Sequence, residues 1–111
     1  MFTDADKEKR LAEWLDQLQD PDPARRRHAA AALSARGRRA AEAVPGLVGL
    51  LRDPDEYVRR MAALALGEIG ARPDLAVPAL QGALSDGSEG VRRRAAVALR
   101  ELGAPEARAA A

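Results

Sequence analysis

DPDEYVRRMAALALGEIG, residues 53–70, is the middle member of three related segments, and its spacing from the other two sets the architecture of the chain. The first member is DPDPARRRHAAAALSARG, residues 20–37, and the third is DGSEGVRRRAAVALRELG, residues 86–103, so positions 20, 53 and 86 are equivalent and the period is 33 residues. A fixed period of about 20 to 50 residues marks a stack of supersecondary units, none of which can bury its apolar face alone. Within residues 53–70, Val58, Ala62, Ala65, Leu66 and Ile69 fall on one side of a helix turning about 100° per residue, and that side is expected to be buried. Arg60, Leu64 and Gly67 are expected to point away from it. Gly70 and Gly103 stand where a helix ends in a left-handed C-cap.

Outward from this segment, AVPGLVGLL (residues 43–51) and AVPALQGAL (residues 76–84) recur at the same offset and supply the first helix of the second and third units. Pro45 and Pro78 are expected in the first turns of these helices, where the missing amide has no intrahelical partner to lose. Asp20-Pro21-Asp22-Pro23, Asp53-Pro54 and Asp86-Gly87 break the chain between the two helices of each unit. In the first unit Thr3 is a candidate N-cap. Leu11, Trp14, Leu15 and Leu18, spaced i, i+3, i+4 and i+7, form the buried stripe of a helix running to about Gln19. Six helices in three hairpins result. Glycines 46, 49, 67 and 82 fall inside helices, where each costs about 1 kcal/mol relative to alanine, and close helix approach is the expected reason.

Composition agrees with this architecture. Hydrophobic residues make up 47% of the 111 but aromatic ones only 3%, so the apolar content is mostly alanine and leucine, as in closely packed helices. Eighteen basic and 17 acidic side chains nearly cancel, which argues against a generally basic nucleic-acid binder but not against a local patch. There is no cysteine and one histidine, His28, which leaves no thiolate or histidine cluster for a metal. The N-terminus MFTDADKEKR has no apolar core of a leader, and no apolar run approaches the ~20 residues of a membrane span. A cytoplasmic protein without a membrane partner is the expectation.

The succession AVPGLVGLLRD (residues 43–53) and VRRMAALALGEIG (residues 58–70) resembles the HEAT repeat in its phycobilisome-lyase-like subtype, and the resemblance covers about residues 7–103. The first copy departs most, with Arg25 where valine is expected and Ser34 and Arg36 where Gly67 and Ile69 stand. The resemblance implies an all-α fold, a short right-handed α-solenoid of three antiparallel helix hairpins, with first (A) helices on the convex layer and second (B) helices on the concave one. It implies one domain over residues 1–111, with repeats at approximately 4–37, 40–70 and 74–103 and a tail or truncated fourth repeat at 104–111. It also implies that Asp20, Asp53 and Asp86 form an inter-repeat ladder with Arg26, Arg59 and Arg92.

One column of B-helix positions suggests function. Arg27, Arg60 and Arg93 are equivalent, outward-facing arginines, flanked by Arg94 and Leu64, in a chain whose total charge is balanced. They are the expected contacts for an acidic or amphipathic segment of another protein. Similarity to the HEAT-like alkylpurine glycosylases gives the alternative, a nucleic-acid backbone on the same arginines, and a solvated helix face is consistent with them too. No catalytic residue, cofactor or metal site is expected. The His-Glu pairs that hold iron in the related deoxyhypusine hydroxylase are absent, and Ser34, His28 and Asp22 lack the elbow or spacing of a nucleophile with its base.

Overall fold

Asp22, Asp55 and Ser88, equivalent residues of the 33-residue period, each start a B helix in the same way. Asp22 accepts from the Ala24 amide at 2.9 Å, Asp55 from the Tyr57 and Val58 amides at 2.8 and 3.1 Å, and the Ser88 hydroxyl from the Val91 amide at 3.4 Å. These bonds satisfy amide groups that the first turn of a helix leaves without partners. Two residues earlier, Asp20, Asp53 and Asp86 each accept the amide of that capping residue at 2.9 Å, which fixes the turn as well as the helix start.

The computed structural model describes residues 3–104, and the elements follow in the order α1 (Asp4–Gln17), α2 (Pro23–Arg36), a 3-10 segment (Gly37–Ala43), α3 (Val44–Leu50), α4 (Glu56–Ile69), α5 (Pro73–Ala83) and α6 (Glu89–Glu101). The proposed tail or fourth repeat beyond Ala104 lies outside the described residues. The fold is a right-handed solenoid of three antiparallel hairpins. Helices α2, α4 and α6 form the B layer, with α4 packed between the other two, while α3 and α5 neighbour each other in the A layer. Stacking elongates the molecule to 46 Å against cross-dimensions of 28 and 19 Å.

The core is a single cluster running through all three hairpins. Leu47, Val58, Leu66, Ile69, Leu80, Val91 and Leu99 are fully buried and Leu51 nearly so. Leu84 and Leu102, the 33-residue equivalents of Leu51 and Ile69, are only half-buried. Both belong to the last hairpin, on whose outer side no further hairpin packs among the described residues.

Three local expectations are corrected. Gly67 does not point outward but is buried against α6: a Cβ built there would lie 2.9 Å from the Ala98 Cα, closer than side chains approach backbone. Its glycine is thus explained by helix approach, and Gly46 is similar, with the Leu18 Cδ1 at 3.1 Å. At Gly49 and Gly82, by contrast, nothing lies within 4 Å of the built Cβ, so helix packing does not explain them. Pro78 does not start α5 but lies inside it, because Pro73 takes the first-turn position instead. The preceding Arg72 adopts φ 51°, and its guanidinium pairs bidentately with Asp74 at 3.1 and 3.0 Å across the helix start. Of the glycines after the B helices, Gly70 is left-handed as expected, at φ 63° and ψ 23°, and Gly103 has φ 75° with the Ala104 amide donating to the Leu99 carbonyl at 2.9 Å, while Gly37 follows α2 at φ 59° and ψ −138° and leads into the 3-10 segment.

Candidate functional site

Each B helix carries consecutive arginines that meet opposite fates. The first of the two columns, Arg26, Arg59 and Arg92, is consumed by the structure. Arg26 donates from Nε and Nη2 to the two carboxylate oxygens of Asp53 at 2.8 and 3.1 Å, and from Nη1 to the Asp20 and Pro21 carbonyls at 2.8 and 2.9 Å. Arg59 repeats the arrangement one hairpin on, reaching Asp86 at 3.0 and 3.2 Å and the Asp53 and Pro54 carbonyls at 2.8 and 3.3 Å. Arg92 keeps the bond to its own turn, the Asp86 carbonyl at 2.7 Å. Arg26 and Arg59 therefore each brace the turn of their own hairpin and clamp the aspartate of the next, while Arg92 only braces its own turn. The fork geometry suits this, since one planar group serves two carboxylate oxygens and a carbonyl at once.

The electrostatics match. The hydrogen bond to Asp53 raises the Arg26 pKa above its ordinary value against the opposing effect of burial. At Asp86 burial works to raise the carboxyl pKa, but the Ser88 amide and the Arg59 guanidinium together outweigh it and hold the group below its ordinary 3.8. A carboxyl depressed in the folded state adds stability that is present above its unfolded value and is lost as pH falls through the folded one. The melting-temperature gap between wild type and Asp86→Asn is accordingly expected to be widest near neutrality and to close below about pH 4. Melting curves recorded across that range check it, and a gap that persists unchanged into acid removes Asp86 ionisation from the ladder.

The second column, Arg27, Arg60 and Arg93, divides, and its first two members face a recess joined by Arg94. Arg27, Arg60 and Arg94 line a recess of about 200 Å³ on the B layer together with Tyr57, Met61 and Leu64. Each arginine comes from a different hairpin, and among the described residues none of the three is paired with a carboxylate. Arg60 is held in place: its guanidinium lies 5.5 Å from the centroid of the Tyr57 ring, and its Nε would be 2.6 Å from a Cβ at Gly90. Glycine at position 90 is what allows Arg60 to lie across the first turn of α6.

Arg93 is not brought to this recess. It pairs with Glu89 of its own helix at 2.7 Å, and Arg94, one residue further round α6, faces the recess instead. The site thus runs diagonally across the 33-residue register. Leu64 is half-buried in the lining rather than exposed, while Val97, its equivalent on α6, is 38% exposed. Tyr57, half-exposed, was not singled out by the sequence reading, although its place three residues before Arg60 on one helix is a signal that puts the two side chains together. His28, which shares this layer, stacks edge-on to Trp14 of α1 with ring centroids 5.4 Å apart. Trp14 is half-buried against the core.

Two larger grooves lie between the A helices, about 500 Å³ between α1 and α3 and about 450 Å³ between α3 and α5. Their walls are mostly aliphatic side chains, prolines and glycines 46, 49 and 82, without a cluster of convergent polar groups. The B-layer recess is smaller but concentrates unpaired charge around an apolar floor. Among the described residues no group of three His, Cys, Asp or Glu side chains is arranged to hold a metal ion, and no helix is long and apolar enough to cross a membrane.

A stack of helix pairs repeating every 33 residues defines a helical repeat protein. Residues 11–76, more than half of the chain, match the family model of HEAT repeats, and the chain belongs to that family. Repeats of this kind generally mediate protein–protein interaction or scaffolding. The crystal structure of an engineered protein, a Northeast Structural Genomics Consortium target, is similar at 28% identity with a TM-score of 0.67, over 90% of this chain. The chain spans about half of that protein, 49% of its length. No curated protein matches the sequence.

Proposed function

We propose that the protein is a non-catalytic interaction module whose concave B-helix face holds an acidic or amphipathic segment of another protein. Arg27, Arg60, Leu64 and Arg94 are its central contacts and Arg93 a peripheral one. The observation that carries this reading is the contrast between neighbouring columns: Arg26 and Arg59 are spent on Asp53 and Asp86, while Arg27, Arg60 and Arg94 converge unpaired on Tyr57, Met61 and Leu64. Unneutralised guanidinium groups beside exposed apolar surface suit a partner that brings carboxylates and an apolar side chain together. The likeness of residues 43–70 to the phycobilisome-lyase-like form supports reading the repeats as that subtype of the family.

The test compares proteins captured by the wild type with those captured by Arg60→Glu and by an Arg60→Glu, Arg94→Glu double variant. Charge reversal is expected to abolish capture of partners while the melting curve stays close to wild type, since these side chains hold no ladder contact. A folded double variant that keeps the same partners at the same affinity reduces the recess to a solvated face. Captured material that is removed by nuclease, and whose binding falls by orders of magnitude between low and physiological salt, would instead assign the arginines to a nucleic-acid backbone.

A further inference from the structure

The recess is matched to one kind of anionic group more closely than to acidic side chains at large. On the reading of the B face as the docking surface, we infer that it takes a phosphorylated serine or threonine side chain of the partner protein.

Charge comes first. Arg27 from α2, Arg60 from α4 and Arg94 from α6 line the same recess of about 200 Å³, so three cationic side chains, one from each hairpin, border one opening. Gathering like charges is unfavourable unless an anion joins them. A single carboxylate carries one charge, and one guanidinium fork engages both of its oxygens, as Arg26 does at Asp53. A phosphoryl group carries about −1.5 to −2 charges at neutral pH and three acceptor oxygens, enough to receive bonds from two or three guanidinium groups at once.

Geometry narrows it further. Arg60, at the centre, is pre-positioned by the Tyr57 ring and by the missing side chain at Gly90, so less of its rotamer freedom is lost when an anion binds. The volume is below the range of about 300–1,000 Å³ typical of pockets that enclose a small molecule, and suits a side-chain head group with its stem. Met61 and Leu64 leave an apolar floor beside the arginines for a neighbouring apolar residue of the same segment. The partner is therefore a peptide segment with a phosphorylated residue next to an aliphatic or aromatic one.

The experiment passes three peptide libraries over the immobilised full chain, each with randomised flanks and a fixed central phosphoserine, glutamate or serine. A thymidine oligonucleotide forms a fourth arm. Retention of the phosphoserine library is expected to exceed that of the glutamate library by about tenfold or more, with enrichment of apolar residues beside the phosphoserine. Arg27→Gln and Arg94→Gln should each remove most of that margin, whereas Arg100→Gln, outside the recess, should leave it intact; circular dichroism confirms that all three variants fold. Equal retention of the phosphoserine and glutamate libraries, lost in Arg60→Glu, overturns the phosphate inference and leaves the acidic-segment reading standing. A phosphoserine margin indifferent to Arg27→Gln and Arg94→Gln, preference for the oligonucleotide, or no retention of any library also overturns it. The capture experiment with Arg60→Glu then decides the broader reading alone.

Discussion

Leu66→Ala is expected to destabilise the protein by about 2–5 kcal/mol, the range for truncating a fully buried leucine whose surroundings cannot collapse into the space. Leu66 is 0% exposed and sits on α4, which among the described residues is the one B helix with a B-layer neighbour on each side. A cavity there loosens the packing of both α2 and α6. Natural domains hold only about 5–15 kcal/mol in all, and in a short repeat array each hairpin relies on its neighbours, so the loss should appear as cooperative unfolding of the whole molecule. Chemical denaturation monitored by helicity measures it. Leu84→Ala, at a half-buried position of the last hairpin, should cost clearly less. A midpoint for Leu66→Ala equal to that of wild type would contradict the burial of this side chain.

Asp53→Ala is the second large effect, an expected fall in melting temperature of about 5–15 °C for a domain of this size. Asp53 is the buried charged residue of the core region at 7% exposure, and its carboxylate accepts three bonds, two from Arg26 and one from the Asp55 amide. Removing it strands a half-buried guanidinium and an amide together, and leaving buried donors unsatisfied is more costly than the net worth of the bonds themselves. Asp20→Ala is the internal control. Asp20 makes the same turn bond to the Asp22 amide, but its ion-pair contact is Arg25 at 3.6 Å with that arginine 68% exposed, so its loss should shift melting by much less. Equal shifts for the two variants would mean that the turn bond, and not the inter-hairpin clamp, is what matters at this position.

The ladder shows how far residue spacing can be carried. The sequence pairs Asp53 with Arg59, six residues apart, but the structure divides that pair: the Asp53 backbone carbonyl serves Arg59, while its carboxylate serves Arg26 of the preceding hairpin. The resemblance to the HEAT repeat named the participants, and their recurrence every 33 positions marks them as equivalent. It did not identify the partners, because a repeat of identical units offers an arginine the aspartate of its own turn and that of the next turn alike. Only the stacking of α2 on α4, and of α4 on α6, brings the next one within reach.

What the sequence by itself determined is whatever depends on local period and turn chemistry: an all-helical chain, three hairpins, the break at each Asp-Pro or Asp-Gly, and the buried stripe Val58, Ala62, Ala65, Leu66 and Ile69, every member of which is fully buried. These follow from helix geometry and from the conformational limits of proline and glycine, which act within a few residues. Tertiary structure decided what depends on how one helix lies against another. It turned Gly67 inward against Ala98, kept Arg93 on Glu89, and set Arg94 beside Arg27 and Arg60 with Tyr57 at the edge of the recess. A column drawn at a strict 33-residue offset assumes that every B helix presents the same angular position to the surface. Helices packed in a twisting stack are rotated and shifted relative to their neighbours, so the residues that converge lie on a diagonal, and side-chain pairing on each helix then settles which arginine stays free.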